Sequence, residues 1–411
     1  MQGARVPSSC HPRISLFVVQ GCAVDKGFEH GSPSQIRRAI WATRGLFALL
    51  GVFSAVWGVH IPSVKQRYAL GEGALSLVLV AAAVGAVSAV MFAGRVIGRL
   101  GARQTAMLCA VVMACMLGLV LHWPGLPWLL LAMLFFGASL SVFDVAINTE
   151  GSALEVAGGQ PIMGSLHGMF SLGAMGGAAL AAGMLGAGVL AEWQLLGVGV
   201  AVAVAIWIGA RWMLPTPPPT DKPKVHFTWP RGALLIMGLL TFAGMSAEGV
   251  MFDWCVLYLQ QEVRMPHEQA AIGYAACAGA MAVMRFAADR LRALYSEQRL
   301  LQVSGVVTAV SMAGVLLTGH PVVAIIGCGL VGAGLAMIVP ILYGAASRVP
   351  GTTPAAAIAA VSSIGYAGFM VGPPLIGFIA QHASLTAAMG VVVVAATVLA
   401  LSARFVPDKA A

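Results

Sequence analysis

Charge is what this sequence has least of. Only 9% of its 411 residues are Asp, Glu, Lys or Arg, whereas 59% are hydrophobic, and the mean hydropathy is +0.89. A soluble globular chain carries about 25% charged residues, so a water-soluble enzyme or binding module is excluded. The 15 acidic residues are outnumbered by 23 basic ones, leaving a net charge of +8. That excess does not describe a nucleic-acid binder, because the basic residues fall in short tracts between apolar runs and build neither a basic face nor an aromatic-interleaved patch. The seven cysteines are scattered, none at metal-ligand spacing and with no disulfide framework. G-x-x-x-x-G-K-[ST] is absent, so ATP does not drive the chain directly. A nucleophile elbow and H-E-x-x-H are absent too. A membrane-embedded enzyme is thereby disfavoured, and no cofactor or metal is expected.

What remains is apolar length. A bilayer core of about 30 Å takes roughly 20 apolar residues as helix, and twelve such runs are present: 41–63, 74–95, 104–122, 127–148, 162–190, 194–213, 232–260, 269–287, 299–318, 321–346, 355–380 and 385–405. Backbone polar groups in lipid must be paired within their own segment, so the expected fold class is all-α and integral to the membrane. Basic residues assign the sides. With the N-terminus inside, the inner connections hold Arg95, Arg99, Arg103, Arg211, Lys222, Lys224, Arg231, Arg285, Arg290, Arg292, Arg299 and Arg348, against Lys65, Arg67 and Arg264 outside. Both termini are therefore expected to be cytoplasmic.

The longest polar break, "PTPPPTDKPKVHFTWPR" at 215–231, has five prolines in its first nine residues, which exclude a continuous helix. It divides the chain into six-helix halves at 37–214 and 232–411, joined by a cytoplasmic linker. Residues 1–36, mixed and weakly apolar, are expected to be a disordered tail or the product of a start codon assigned too early. The halves also repeat. "GRVIGRL" at 94–100 parallels "RFAADRL" at 285–291, and "SLGAMGG" at 171–177 parallels "SIGYAGF" at 363–369, offsets of 191 and 192 residues. Two six-helix repeats with a substrate site between them near mid-membrane describe one large transporter architecture.

From these residues the chain resembles the major facilitator superfamily. "GRVIGRLGARQ" is similar to the loop signature between that superfamily's second and third helices, with Gly98 where its acid usually stands; the second copy keeps Asp289 and Arg290. The resemblance implies a conformational switch made of Arg95, Arg99, Asp289 and Arg290 that pairs charges across the two bundles. "FDVAINTEGSALE", "PIMGSLHGMFSLGA", "AEGVMFDWCVLYL" and "IAAVSSIGYAGFMVGPPLIGFIA" resemble a bacterial inner-membrane branch, over about residues 40–406. In that branch an arginine usually stands where this chain has His60. The superfamily lines its cavity with helices one, four, seven and ten. Trp57, His60, Tyr343 and Tyr366 are accordingly expected at the cavity, with packing as the alternative for each aromatic.

Five further residues could carry transport chemistry. Glu248 and Asp253 stand in a long apolar run with no basic residue in the same run. A carboxylate at the bilayer centre costs roughly 2.5–3.5 kcal/mol on insertion scales, and removal from water disfavours its charged form. Five residues separate the two acids, about 140° around a helix, so they do not share a face. Glu248, nearer the middle, is the expected proton or cation carrier, with a structural hydrogen bond as the alternative; Asp253 is either a second coupling acid or an interfacial anchor. Asp144 and Asn148, at i and i+4, share a face at the inner end of the fourth run. With His167 of the fifth run they are expected to meet at the cytoplasmic mouth, as a gate or as a static latch. Glu150 and Glu155, in the connection 149–161, are placed to bridge to Arg348 or Arg290.

These readings describe a secondary transporter of a small organic solute, coupled to protons and working as a monomer in the inner membrane. The rival is a transporter-like sensor or scaffold that binds ligand without net flux. Both a polar, sugar-like metabolite and an exported amphiphile fit the sequence.

Overall fold

Apolar runs become helices wherever the backbone can pair with itself, and the computed structural model, which describes residues 32–214 and 231–407, consists of helices joined by short connections. They are α1 (Pro33–Arg67), α2 (Glu72–Gly118), α3 (Leu126–Gly158), α4 (Met163–Gly186), α5 (Ala191–Ala210), α6 (Ala233–Gln261), α7 (His267–Leu294), α8 (Glu297–Thr318), α9 (Pro321–Leu335), α10 (Ile338–Ala346), α11 (Pro354–His382) and α12 (Leu385–Ser402). Helices α9 and α10 follow one another through the single break at Ala336 and Met337, and together form one span. Helix α2 does the opposite. Gly101 has φ +79° and ψ 157° inside it, a left-handed conformation that glycine adopts freely, and α2 there divides into two spans. Among the described residues eleven helical segments are long and apolar enough to cross a membrane, and the division of α2 raises the number of spans there to the expected twelve.

Local chemistry fixes several ends. Ser32 closes a capping box with Gln35 at the start of α1, with Pro33 in the first turn. Ser296, Thr353 and Ser384 accept backbone N–H bonds at the starts of α8, α11 and α12.

Within the first half α1 lies on α4 and α2 on α3; within the second, α6 lies on α11 and α7 on α9. Glycines permit that closeness. A Cβ at Gly173 would run into the backbone of Ala48, at Gly137 into that of Ala82, and at Gly332 into that of Cys277. The seam between halves is built from α4 against α7, α2 against α11 and α1 against α6. Both repeated stretches occupy equivalent positions: the ends of the first leg of α2 and of α7, and the middles of α4 and α11.

Four expectations need correction. Helix α1 begins at Pro33, so the last residues of the expected tail are helical, while residues 1–31 and 215–230 lie outside the described residues. The fourth run does not stop at 148: α3 extends to Gly158, 33 residues or about 50 Å long. Asp144 therefore lies near its middle, and Glu150 and Glu155 are on the helix. Arg285 is no loop residue but part of α7, with a side chain 14% exposed. Finally, Glu150 accepts the Leu214 N–H (2.7 Å) and Glu155 those of Ile162 (2.6 Å) and Met163 (2.9 Å), so neither bridges to Arg348 or Arg290.

Candidate functional site

The two ends of the seam differ. The side on which the described chain begins at Ser32 and ends at Pro407 is termed the termini side, and the other the distal side. At the distal side the halves are closed on each other. His267 of α7 donates to the Val59 carbonyl of α1 (2.7 Å), Lys65 reaches Gln261 of α6 (3.4 Å), and Gln381 of α11 covers Gly73 of α2. Gly58 lies so near α6 and α7 that a Cβ there would stand 2.8 Å from the Phe252 carbonyl and 2.7 Å from the Tyr274 ring. At the termini side no comparable packing joins the described residues of α3 and α4 to α10 and α11.

Between these ends, at mid-membrane, Glu248 of α6 accepts a hydrogen bond from Arg285 of α7 (3.1 Å). The other arm of the guanidinium donates to Ser171 Oγ of α4 at 2.6 Å. Glu248 and Arg285 are thus an ion pair within the second half, tied by a charge-assisted hydrogen bond to the first. The expectation of an uncompensated Glu248 is wrong for a simple reason: its base is 37 residues away, on the next helix. Arg285 and Ser171 are the functional residues that sequence reasoning missed. One signal was available, since Arg285 directly follows "ACAGAMAVM", an unbroken apolar stretch that argues for a membrane position.

Asp253 sits about one and a half turns closer to the distal end of α6, half-buried, with no hydrogen-bond or ion-pair partner among the described residues. Asp144 accepts from Asn148 Nδ2 at 3.0 Å, and the same amide donates to the Asp144 backbone carbonyl at 2.9 Å, so these two form a unit as expected. His167 does not join them. Its ring stands edge-on to Phe47 with centroids 5.4 Å apart and lies within electrostatic range of Arg285. The reason is packing: α4 lies along α1 and α7 and scarcely touches α3.

Of the four expected cavity residues, two are at least partly exposed. Tyr366 is 48% exposed, with Tyr343 and Asp144 as electrostatic neighbours from both halves; Tyr343 is half-buried beside it. The other two are corrections. Trp57 is buried with its ring 6.0 Å from Phe136. His60, 0% exposed, is held by Gln194 of α5 (3.1 Å) and Ser63 (3.3 Å), with its ring 5.8 Å from that of His267. In this conformer both belong to distal packing.

The switch residues are separated. Arg95 stacks over Phe92 (5.7 Å), and Arg99 and Arg290 are exposed. Asp289 stands across the seam from Gly164, in the first turn of α4, where the helix dipole favours an anion. None of the four makes an ion pair with another described residue. A different charge cluster lies on the termini side of the second half: Glu297, 0% exposed, is clamped by Arg292 (2.9 Å) and Arg348, joining the ends of α7, α8 and α10.

A protein-family model described as Major Facilitator Superfamily matches residues 45–356. An uncharacterised MFS-type transporter of Yersinia pestis is 32% identical over 366 residues, covering 89% of this chain and 95% of that protein. Among solved structures, a D-xylose–proton symporter superposes with TM-score 0.74 at 12% identity, over 90% of this chain and 98% of that one. A mutant form of the nucleoside transporter NupG gives 0.72 at 13% identity, over 90% and 99%.

Proposed function

The chain belongs to the Major Facilitator Superfamily, and on that footing we propose that it carries a small polar solute across the bacterial inner membrane by alternating access, coupled to protons through Glu248. The observation that carries the proposal is the bridge from Glu248 through Arg285 to Ser171, a buried acid–base pair anchored on both sides of a seam that is closed at its distal end.

The excess of basic residues outside the spans on the termini side supports a cytoplasmic assignment of that side, and on that reading this conformer opens inward. In it Glu248 holds Arg285. A proton taken up by Glu248 discharges the acid and releases the guanidinium from its partner. The tie to Ser171 then no longer has its geometry fixed, and the halves are free to rock about the solute. Asp253, on the distal side of the pair, is the relay by which protons reach Glu248 when that end opens. Ground-state pairing of this kind makes the two conformers differ in protonation, which is what coupling requires.

Tyr366 neighbours Tyr343 and Asp144, and Asp144 holds Asn148, so hydroxyl, carboxylate and amide groups from both halves lie together. Arg285, the basic residue at the bridge, is already engaged by Glu248. Such a lining suits a hydroxyl-rich metabolite better than an anion. The two superposed proteins are named for D-xylose with protons and for a nucleoside, solutes of that general kind.

The test has two stages. A thermal-shift screen of the purified protein against a metabolite panel finds a ligand. Uptake and counterflow of that ligand are then measured in liposomes with and without a pH gradient. Gradient-driven accumulation by the wild type, lost in Glu248→Gln while counterflow survives, supports the proposal. Binding without flux in the wild type replaces it with the sensor reading. Full accumulation by Glu248→Gln removes Glu248 from the coupling role.

A further inference from the structure

On the termini side, away from the seam, a groove of about 750 Å³ runs between the start of α1 and the end of α5. Arg37, Trp41 and Gly45 follow at i, i+4 and i+8, so they share one face of α1. The opposing wall carries Gly209 of α5 and Trp212, two residues past its end. The floor is open: a Cβ at Gly45 would meet no atom within 4 Å. The rims are aromatic, with Trp41 62% and Trp212 50% exposed. Trp41 is held in place, since Arg44 lies 4.7 Å over its ring while donating to Ser165 of α4 at 3.3 Å.

The mouth is basic. Arg37 and Arg38 both line it, both are exposed, and neither has an ion-pair partner among the described residues. The lining includes no acidic residue. The 35 residues of α1 span about 52 Å, well beyond a hydrocarbon core of about 30 Å. Its first turns therefore project to the headgroup level, with Trp41 at the depth where aromatic belts sit. An apolar groove at that depth is filled by acyl chain, because water there would find no hydrogen-bond partners on its walls. Two uncompensated guanidinium groups at its mouth then select among headgroups. A phosphate with net negative charge satisfies both, whereas a zwitterionic headgroup brings an ammonium against them.

We propose that this groove is a binding site for an anionic glycerophospholipid, its phosphate held by Arg37 and Arg38 and one acyl chain lying over Gly45 and Gly209. The site is built within the first half and owes nothing to the solute or to Glu248, so it stands or falls apart from the transport reading.

The full-length protein, delipidated in neutral detergent, is titrated with phosphatidylglycerol, with phosphatidylcholine and with glycerol 3-phosphate. Native mass spectrometry reads the bound lipid and thermal unfolding reads its effect. Phosphatidylglycerol is expected to be retained and to raise the unfolding temperature, with phosphatidylcholine bound more weakly and glycerol 3-phosphate without effect. Arg37→Gln and Arg38→Gln are each expected to weaken phosphatidylglycerol about fivefold, and together about 25-fold. Gly45→Leu, which points into open space and threatens no packing, is expected to remove the lipid while leaving both arginines in place. Equal binding of the two lipids by the wild type overturns the proposal. So does a double arginine variant that binds phosphatidylglycerol as before, or a glycerol 3-phosphate effect as large as the lipid's, which would mark a bare anion site. No uptake of either lipid overturns it as well.

Discussion

Replacing Glu248 by Gln leaves the shape of the side chain and takes away its charge, and the surroundings set the consequence. Glu248 and Arg285 have side chains only 11% and 14% exposed, 3.1 Å apart. Removing one partner of a buried pair costs about 3–5 kcal/mol, because the other charge stays behind without compensation. Here the stranded guanidinium keeps two neutral acceptors, Ser171 Oγ and the amide oxygen of residue 248, and neither compensates its charge as a carboxylate does. Glu248→Gln should therefore lower stability by about 3 kcal/mol or more. Glu248→Gln combined with Arg285→Gln, which removes both charges, should return to within about 1–2 kcal/mol of the wild type. In a double-mutant cycle the coupling should exceed about 2 kcal/mol, against the roughly 0.5 kcal/mol within which independent sites add. The assay is reversible unfolding in lipid–detergent mixed micelles, with the four variants side by side. The folded double variant has a further use: it should bind ligand yet fail to accumulate it in liposomes under a pH gradient. A Glu248→Gln protein as stable as the wild type, with additive effects in the cycle, would refute the pairing and with it the route by which a proton is proposed to loosen the seam.

Three other outcomes are expected. Glu297→Gln should cost about 3–5 kcal/mol, since its carboxylate is 0% exposed between Arg292 and Arg348; thermal unfolding of the purified variant checks this, and an unchanged transition would mean that the two arginines repel less than their positions require. Asp144→Asn should change cysteine-accessibility labelling from the two sides of the membrane while moving stability by less than about 1 kcal/mol, because Asn148 can still donate to the residue-144 amide oxygen; lost expression with unchanged labelling would indicate a static latch. Reporter fusions after Arg231 and after Lys409 should report cytoplasm, and one after Arg264 periplasm; an external signal at Arg231 would invert the assignment of sides.

The spans are legible in the sequence because a bilayer imposes a length that hydropathy measures directly, and all twelve runs correspond to helix. The end of α3 is not. Residues 149–158 contain two glutamates and lower the local hydropathy, yet a helix needs no apolar side chains once its own backbone is paired, and both glutamates serve backbone N–H groups of neighbouring segments. Treating each basic residue as a span boundary misplaces Arg285 for a related reason. Its pairing with Glu248 depends on how α6 crosses α7, which no local pattern encodes. His60 reads as a cavity residue because it stands where an arginine is usual in the resembled branch; its actual partner, Gln194, is 134 residues away on α5. Tyr343 lies in the tenth run, which the family resemblance sets beside the solute path, whereas Tyr366 lies in the eleventh, which it does not; that Asp144 of α3 is an electrostatic neighbour of Tyr366 depends on how the halves meet, which no local pattern encodes.

The glycines divide the molecule into parts that are keyed and parts that slide. Inside each half, at Gly173, Gly137 and Gly332, helix backbone lies directly on helix backbone, and nothing there can yield to an added methyl group. Across the seam, Gly168 and Gly279 face the ends of side chains, the Phe286 ring and the Met175 thioether, which can turn aside as the halves roll. Gly58 and Gly377 are the exceptions, both at the closed distal end, Gly58 pressed against the Phe252 carbonyl and Gly377 against the Cβ of Ser76 and the Glu72 carbonyl. Those contacts exist only while the end is shut, so bulk at either glycine acts as a doorstop: it leaves each half intact and holds the distal door ajar. Missing methyl groups are thus what allow this door to latch.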